Sequence, residues 1–127
     1  MSNYKPQSYN SVSPYLIVDG AAAAIDFLVR VFDAVELSRI PGEGGRVMHA
    51  EVRIDDSVVM LADAVENWPA VPAHVHVYVP DVDATFRRAL ENGATLVQEP
   101  VKKEDADKRG GFKEPGGTTW WVATKVA

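Results

Sequence analysis

His49, His74 and His76 are the three imidazoles of the chain, and Glu51 stands two residues beyond the first of them. Side chains of these types hold divalent metals through nitrogen and carboxylate oxygen, and they move protons near neutral pH. No cysteine occurs among the 127 residues, which removes thiolate ligands, disulfides and cysteine nucleophiles. His49 and Glu51, like His74 and His76, have the two-residue spacing at which neighbours on a strand point the same way. Such neighbours sit ~6.5 Å apart and need a second strand to converge on one ion. His49, Glu51, His74 and His76 thus make a possible metal set, weighed against strand polar groups that satisfy each other or water. Glu51 beside an imidazole suits a general base, weighed against an ion pair with Arg53. No Ser-His-Asp arrangement stands out, and Gly110-Gly111 is no phosphate loop because no helix follows it.

These residues lie on strands that alternate with two helices. Ser13 to Val18 reads as a strand, Asp19 as a helix cap, and Ala21 to Phe32 as a helix with Ile25, Leu28 and Phe32 on one face. Strands follow at Val35 to Ile40, Arg46 to Ile54 and Ser57 to Ala62, broken by Pro41-Gly42-Glu43-Gly44-Gly45 and Asp55-Asp56. The order then repeats. His74 to Val79 reads as a strand, Asp81 as a cap, and a helix carries Val82, Phe86, Ala89 and Leu90 before Asn92-Gly93 stops it. Thr95 to Glu99, Gly111 to Lys113 and Thr118 to Thr124 complete a second βαβββ unit.

The duplication predicts a single domain over 11–127, with modules 11–64 and 73–126, a loose tail at 1–10, and a proline-bearing linker around Trp68. Trp68 is a candidate lid or interface residue, weighed against a packed surface aromatic. Val101 to Arg109 is the most charged stretch and reads as a solvated loop, or as a mobile cover anchored by Asp107 and Arg109. Strand phase puts Val75, Val77 and Val79 toward a helix and His74, His76 and Tyr78 away from it. By the same alternation Tyr15, His49, Glu51, Met60 and Trp121 lie on the faces turned from the helices.

With 46% hydrophobic residues the chain can bury a core without a disulfide or structural metal. A formal charge of −5 without a basic stripe argues against nucleic acid. No apolar run approaches the ~20 residues of a membrane span, and the start lacks signal-peptide character. A soluble, cytoplasmic protein with no membrane partner is the expectation.

Tyr15 to Phe27 (YLIVDGAAAAIDF), His49-Ala50-Glu51, Val58 to Asp63 (VVMLAD), His76 to Asp83 (HVYVPDVD) and Asp107 to Thr124 resemble the vicinal oxygen chelate superfamily. Within it the likeness is to small glyoxalase/bleomycin-resistance proteins of the PhnB-like branch, over nearly the whole chain beyond residue 11. The resemblance implies an α+β fold of two tandem βαβββ modules whose mixed sheets curl into a cup, completed by homodimerisation. It also implies metal ligands in the first, fourth, fifth and eighth strands, where this chain has Ser13, Met60, His74 and Trp121. Thioether and indole do not replace imidazole and carboxylate, so no metal cofactor is expected at those positions. Asp33 stands where the family commonly has a glycine after the helix.

The implied function is metal-independent binding of a small aromatic or cationic molecule, of the antibiotic-sequestering kind. Tyr15, His49, Glu51, Met60, His74, His76, Tyr78 and Trp121 are the candidate ligand-binding residues, and no catalytic residue is assigned. A divalent-metal lyase, isomerase or dioxygenase using the histidine face is the alternative.

Overall fold

The computed structural model describes residues 3–127. Met1 and Ser2 of the expected tail lie outside the described residues. Module 1 comprises β1 (Tyr15–Val18), α1 (Ala21–Phe32), β2 (Val35–Pro41), β3 (Val47–Ile54) and β4 (Ser57–Asp63). Module 2 comprises β5 (His74–Tyr78), α2 (Val82–Glu91), β6 (Thr95–Lys102), β7 (Asp107–Lys113) and β8 (Thr119–Lys125). Each module folds into one four-stranded mixed sheet, β1-β4-β3-β2 and β5-β8-β7-β6, whose only parallel pairs are β1 with β4 and β5 with β8. The α+β architecture of two βαβββ units is as expected, and the sheets do not close into a barrel.

Both helices start at a side-chain oxygen supplied by the end of their own sheet. Asp19 does not cap α1, contrary to the sequence expectation. Gly20 takes the cap position in left-handed backbone, and Asp63 Oδ1 accepts from the N–H groups of Gly20 and Ala21 at 3.1 and 2.7 Å. Its other oxygen accepts from Val47 N–H at 2.7 Å, tying the start of β3 to the same carboxylate. A tertiary donor set outweighed the local cap because one carboxylate satisfies three otherwise orphaned donors. In α2 Asp81 is the cap, accepting from Ala84 N–H, while Thr124 Oγ1 accepts from Val82 N–H. α1 ends with Asp33 in left-handed backbone, its N–H returning to Leu28 O.

The charged stretch is the main departure. β6 extends to Lys102 and β7 begins at Asp107, with Val101 paired to Arg109 and Lys102 to Lys108, so most of 101–109 is a hairpin and not a loop. Register shifts between Leu96 and Gln98 and between Gln98 and Val101 absorb the irregular length. Charges hid this pairing because a hairpin edge tolerates solvated side chains on both faces.

One core serves both modules. Phe112 of β7 lies against Phe27 and Phe32 of α1 and Phe86 of α2, with ring centroids 5.9, 6.2 and 6.3 Å apart. Phe32 also meets Trp120 of β8 at 5.3 Å, and Arg88 of α2 donates to the Val31 carbonyl. α1 and α2 touch each other as well as their own sheets. The helix-facing sides of both sheets, with Ala50, Val52, Leu61, Trp120 and Val122, therefore meet in a shared interior.

Alternation along each strand then turns the opposite side chains outward, away from that interior. The linker crosses the outer rim of module 1, where Val71 N–H donates to Ile17 O and Val65 pairs with Trp68.

Candidate functional site

The eight sequence candidates fall into two groups of four. Tyr15, His49, Glu51 and Met60 share the outward face of module 1; His74, His76, Tyr78 and Trp121 share that of module 2. Among the described residues, the side-chain hydrogen bonds of these eight stay within their own module, except that Glu51 also accepts from Tyr9 of the segment before module 1. The aromatic contacts that join the modules are all on the helix side. Among the described residues, then, no side-chain hydrogen bond or aromatic contact links one group of four to the other.

On module 1 the register aligns Tyr15, Met60 and Glu51 across β1, β4 and β3. His49 bridges the row. Its Nε2 lies 2.9 Å from Glu51 Oε2, and its Nδ1 lies 3.0 Å from the Tyr15 hydroxyl. An ionised carboxylate only accepts, so Nε2 carries a ring proton, and in the neutral ring the bare Nδ1 accepts from Tyr15 O–H. Tyr9, from the segment expected to be a loose tail, donates its hydroxyl to the other Glu51 oxygen. The Tyr9 and His49 donors hold the Glu51 carboxyl below the usual carboxylate range, and the same bond raises the Tyr9 phenol above its ordinary value. Trp68 packs edge-on against Tyr15 at 5.6 Å, which places the linker aromatic at the rim of this face. Arg53 pairs with Val58 and Val35 in the sheet and makes no salt bridge with Glu51 among the described residues.

On module 2 the matching row is His76, Trp121 and Gly111 across β5, β8 and β7. Glycine here has a steric reason: a Cβ on Gly111 would come within 2.6 Å of the Trp121 ring, so the indole lies across bare backbone. Trp121 Nε1 donates to His74 Nδ1 at 3.0 Å and the two rings are nearly parallel, 12° apart. Arg109 donates Nε to His76 Nε2 and its two other nitrogens to Asp105 and Asp107, while the Tyr78 hydroxyl donates to Asp107. Burial first, and the Arg109 charge next, hold His76 below the usual imidazole range, which favours the neutral ring that can accept from Arg109. Asp107 and Arg109 do anchor the hairpin, by pairing with each other and with this face.

The alternative metal set is divided two and two between the modules. Among the described residues no group of three or more His, Cys, Asp or Glu side chains within one chain could hold a metal ion. At the positions where metal-dependent relatives carry ligands, Met60 is paired with Tyr15, and His74 Nδ1 is occupied by Trp121, so that donor set does not fit a divalent ion.

Sequence reasoning missed Tyr9 and Gly111. Gly111 had a signal, a glycine inside a strand opposite an aromatic, which marks close approach of another group. Tyr9 had none, because the path of the segment before β1 is set by contacts distant in sequence.

Comparison with known proteins agrees with this fold. Residues 9–122 match the family model of the Glyoxalase/Bleomycin resistance protein/Dioxygenase superfamily. An uncharacterized protein of Mycobacterium tuberculosis (strain H37Rv) is 42% identical, over 91% of this chain and 75% of its own length. TioX from Micromonospora sp. ML1 superimposes with a TM-score of 0.72 at 26% identity, covering 91% of this chain and 100% of TioX. TnmS3, an antibiotic binding protein from Streptomyces sp. CB03234, gives a TM-score of 0.69 at 22% identity, covering 92% and 99%. No helix among the described residues is long and apolar enough to cross a membrane.

Proposed function

This chain belongs to the glyoxalase/bleomycin resistance protein/dioxygenase superfamily, and from its two half-faces we propose that it binds a planar aromatic molecule in a cup closed between two copies of the chain. Module 1 of one protomer faces module 2 of the other in this arrangement. The observation that carries the reading is the Trp121 indole laid over Gly111 and fixed by His74, a flat, rigid stacking surface whose orientation is set before a ligand arrives. Glu51, Tyr15 and Met60 of the opposing face supply an anionic and apolar wall suited to a ligand bearing a basic group. β1 and β5 are edge strands of their sheets; the linker takes up part of the β1 edge at Ile17 O, and β5 offers an edge along which a partner can align. The likeness to TnmS3, itself an antibiotic binding protein, supports sequestration as the purpose. No step in this function requires a metal or a covalent change.

Complementation tests the reading. Bleomycin and a planar aromatic antibiotic serve as probes, followed by quenching of tryptophan fluorescence. Trp121→Ala is expected to weaken binding by about 1–3 kcal/mol, and unchanged affinity removes the indole from the site. Mixing Trp121→Ala with Tyr15→Ala chains, after dissociation and reassociation, should restore about one cup in four, since only heterodimers carry one intact pairing of faces. A cup built within one chain gives no recovery.

A further inference from the structure

The hydrogen-bond chain on module 1 has a direction. Tyr15 O–H donates to His49 Nδ1, and His49 Nε2–H donates to Glu51, which cannot pass the proton further while it remains a carboxylate. A phenol, a base and an orienting carboxylate in hydrogen-bond contact form the nucleophile–base–orienter arrangement of covalent catalysis, here with tyrosine in the leading place. Tyr15 is 43% exposed, so its hydroxyl sits on an open face, while His49 and Glu51 are sheltered beneath it. Module 2 carries no counterpart: His76 and Gly111 occupy the places of Tyr15 and Glu51.

We propose that Tyr15, His49 and Glu51 form a nucleophilic site that accepts acyl groups from activated esters and releases them to water. In the first step the Tyr15 oxygen forms a bond to the ester carbonyl carbon and its proton passes to His49 Nδ1. The carbon–oxygen bond to the alcohol breaks, and the leaving oxygen departs with the electron pair and takes the proton from His49 Nδ1, so the alcohol is released and the ring returns to its neutral form. In the second step a water oxygen bonds to the acyl carbon as His49 Nδ1 takes the water proton. The tyrosyl oxygen leaves and recovers a proton from the imidazolium, so that ester and water become acid and alcohol. Glu51 is a positioning residue, holding the ring proton on Nε2 so that Nδ1 stays free to accept. The hydrogen bonds from Tyr9 first and His49 next hold its pKa below the ordinary carboxyl value, which keeps the carboxylate charged through both steps. This site shares Tyr15 and Glu51 with the wall of the proposed cup, but it lies wholly within one module and needs neither Trp121 nor a second chain.

p-Nitrophenyl acetate is the probe, added to the full chain, with p-nitrophenolate release followed by absorbance and the acid-quenched protein mapped by mass spectrometry. Acetylation is expected at Tyr15 at least about tenfold faster than at Tyr4, which is more exposed at 77% and whose hydroxyl has no imidazole partner among the described residues. His49→Gln should slow Tyr15 acetylation about 100-fold, and free imidazole should restore it in His49→Gly. Nitrogen NMR of the unmodified protein should show the His49 proton on Nε2, and Glu51→Leu should shift it toward Nδ1 and slow acetylation with it. Equal labelling of Tyr15 and Tyr4, an undiminished rate in His49→Gln, or a wild-type ring protonated on Nδ1 would each overturn the proposal. Loss of aromatic-probe binding with labelling intact would overturn the cup and leave this site standing.

Discussion

Glu51 and Gly111 hold the same place in the two modules, each on the third strand of its row, yet one projects a carboxylate and the other projects nothing. Around Glu51 the face of module 1 is a chain of hydrogen bonds from Tyr15 through His49 to Tyr9. Around Gly111 the face of module 2 is a flat indole, with its polar groups pushed to the rim at Asp105, Asp107 and Arg109. The helix caps diverge in the same way. Asp63 gathers three N–H donors at the end of β4, while Thr124, at the end of β8, accepts one from Val82 and donates to Val79. A duplicated frame thus keeps its strand pairing and apolar side while the outward residues specialise, because the frame is held from the helix side and constrains the other side little.

The largest test asks whether the two modules are separable at all. Phe112→Ala removes a fully buried ring that touches both helices, and is expected to cost about 3–5 kcal/mol in a single chemical-denaturation transition. Two resolved transitions would show that the modules fold independently and that the shared core is overstated.

Next in size is the cap contrast. Asp63→Ala should destabilise by about 2–3 kcal/mol, since the bonds lost are charge-assisted, against about 1 kcal/mol for Thr124→Val. Equal effects in thermal unfolding would remove the asymmetry. Gly111→Ala forces the indole off the backbone and is expected to cost about 1–3 kcal/mol while breaking the Trp121 to His74 hydrogen bond, visible as a shift of the indole N–H resonance. An unmoved resonance would mean that glycine is not what positions the ring.

The smallest effect is the pH response, which should separate the faces. Glu51 has a folded value below its unfolded one, so its contribution is present above about pH 4.3 and is lost as pH falls through the depressed value. His76 is also depressed, but for a base this means that the unfolded chain takes up a proton first as pH falls below about 6.5, and stability declines from there toward the lower folded value. Titration of the imidazole ring protons by NMR, beside melting curves, checks both windows. A His76 ring that titrates above the unfolded value would reverse the second.

Much of the frame was legible in the sequence. The α1 span, the Asp81 cap and the alternation that put valines inward and histidines outward all follow from local chemistry, in which periodicity and turn residues act within a few positions. β7 was read too short because Asp107, Lys108 and Arg109 carry no apolar alternation, and their strand exists only by pairing with β6 and β8. Asp19 was misread because the stronger acceptor, Asp63, is distant in sequence.

By itself the sequence determined which side chains share a face within each module, since the pleat repeats every two residues whatever the chain does elsewhere. Only the tertiary structure decided that the helix-facing sides of both sheets share one interior, that Tyr9 reaches Glu51, and that Trp121 lies over Gly111. Those outcomes follow from burying Phe27, Phe32, Phe86, Phe112 and Trp120 together. That apolar gain is non-directional and long-range, and no local pattern encodes it.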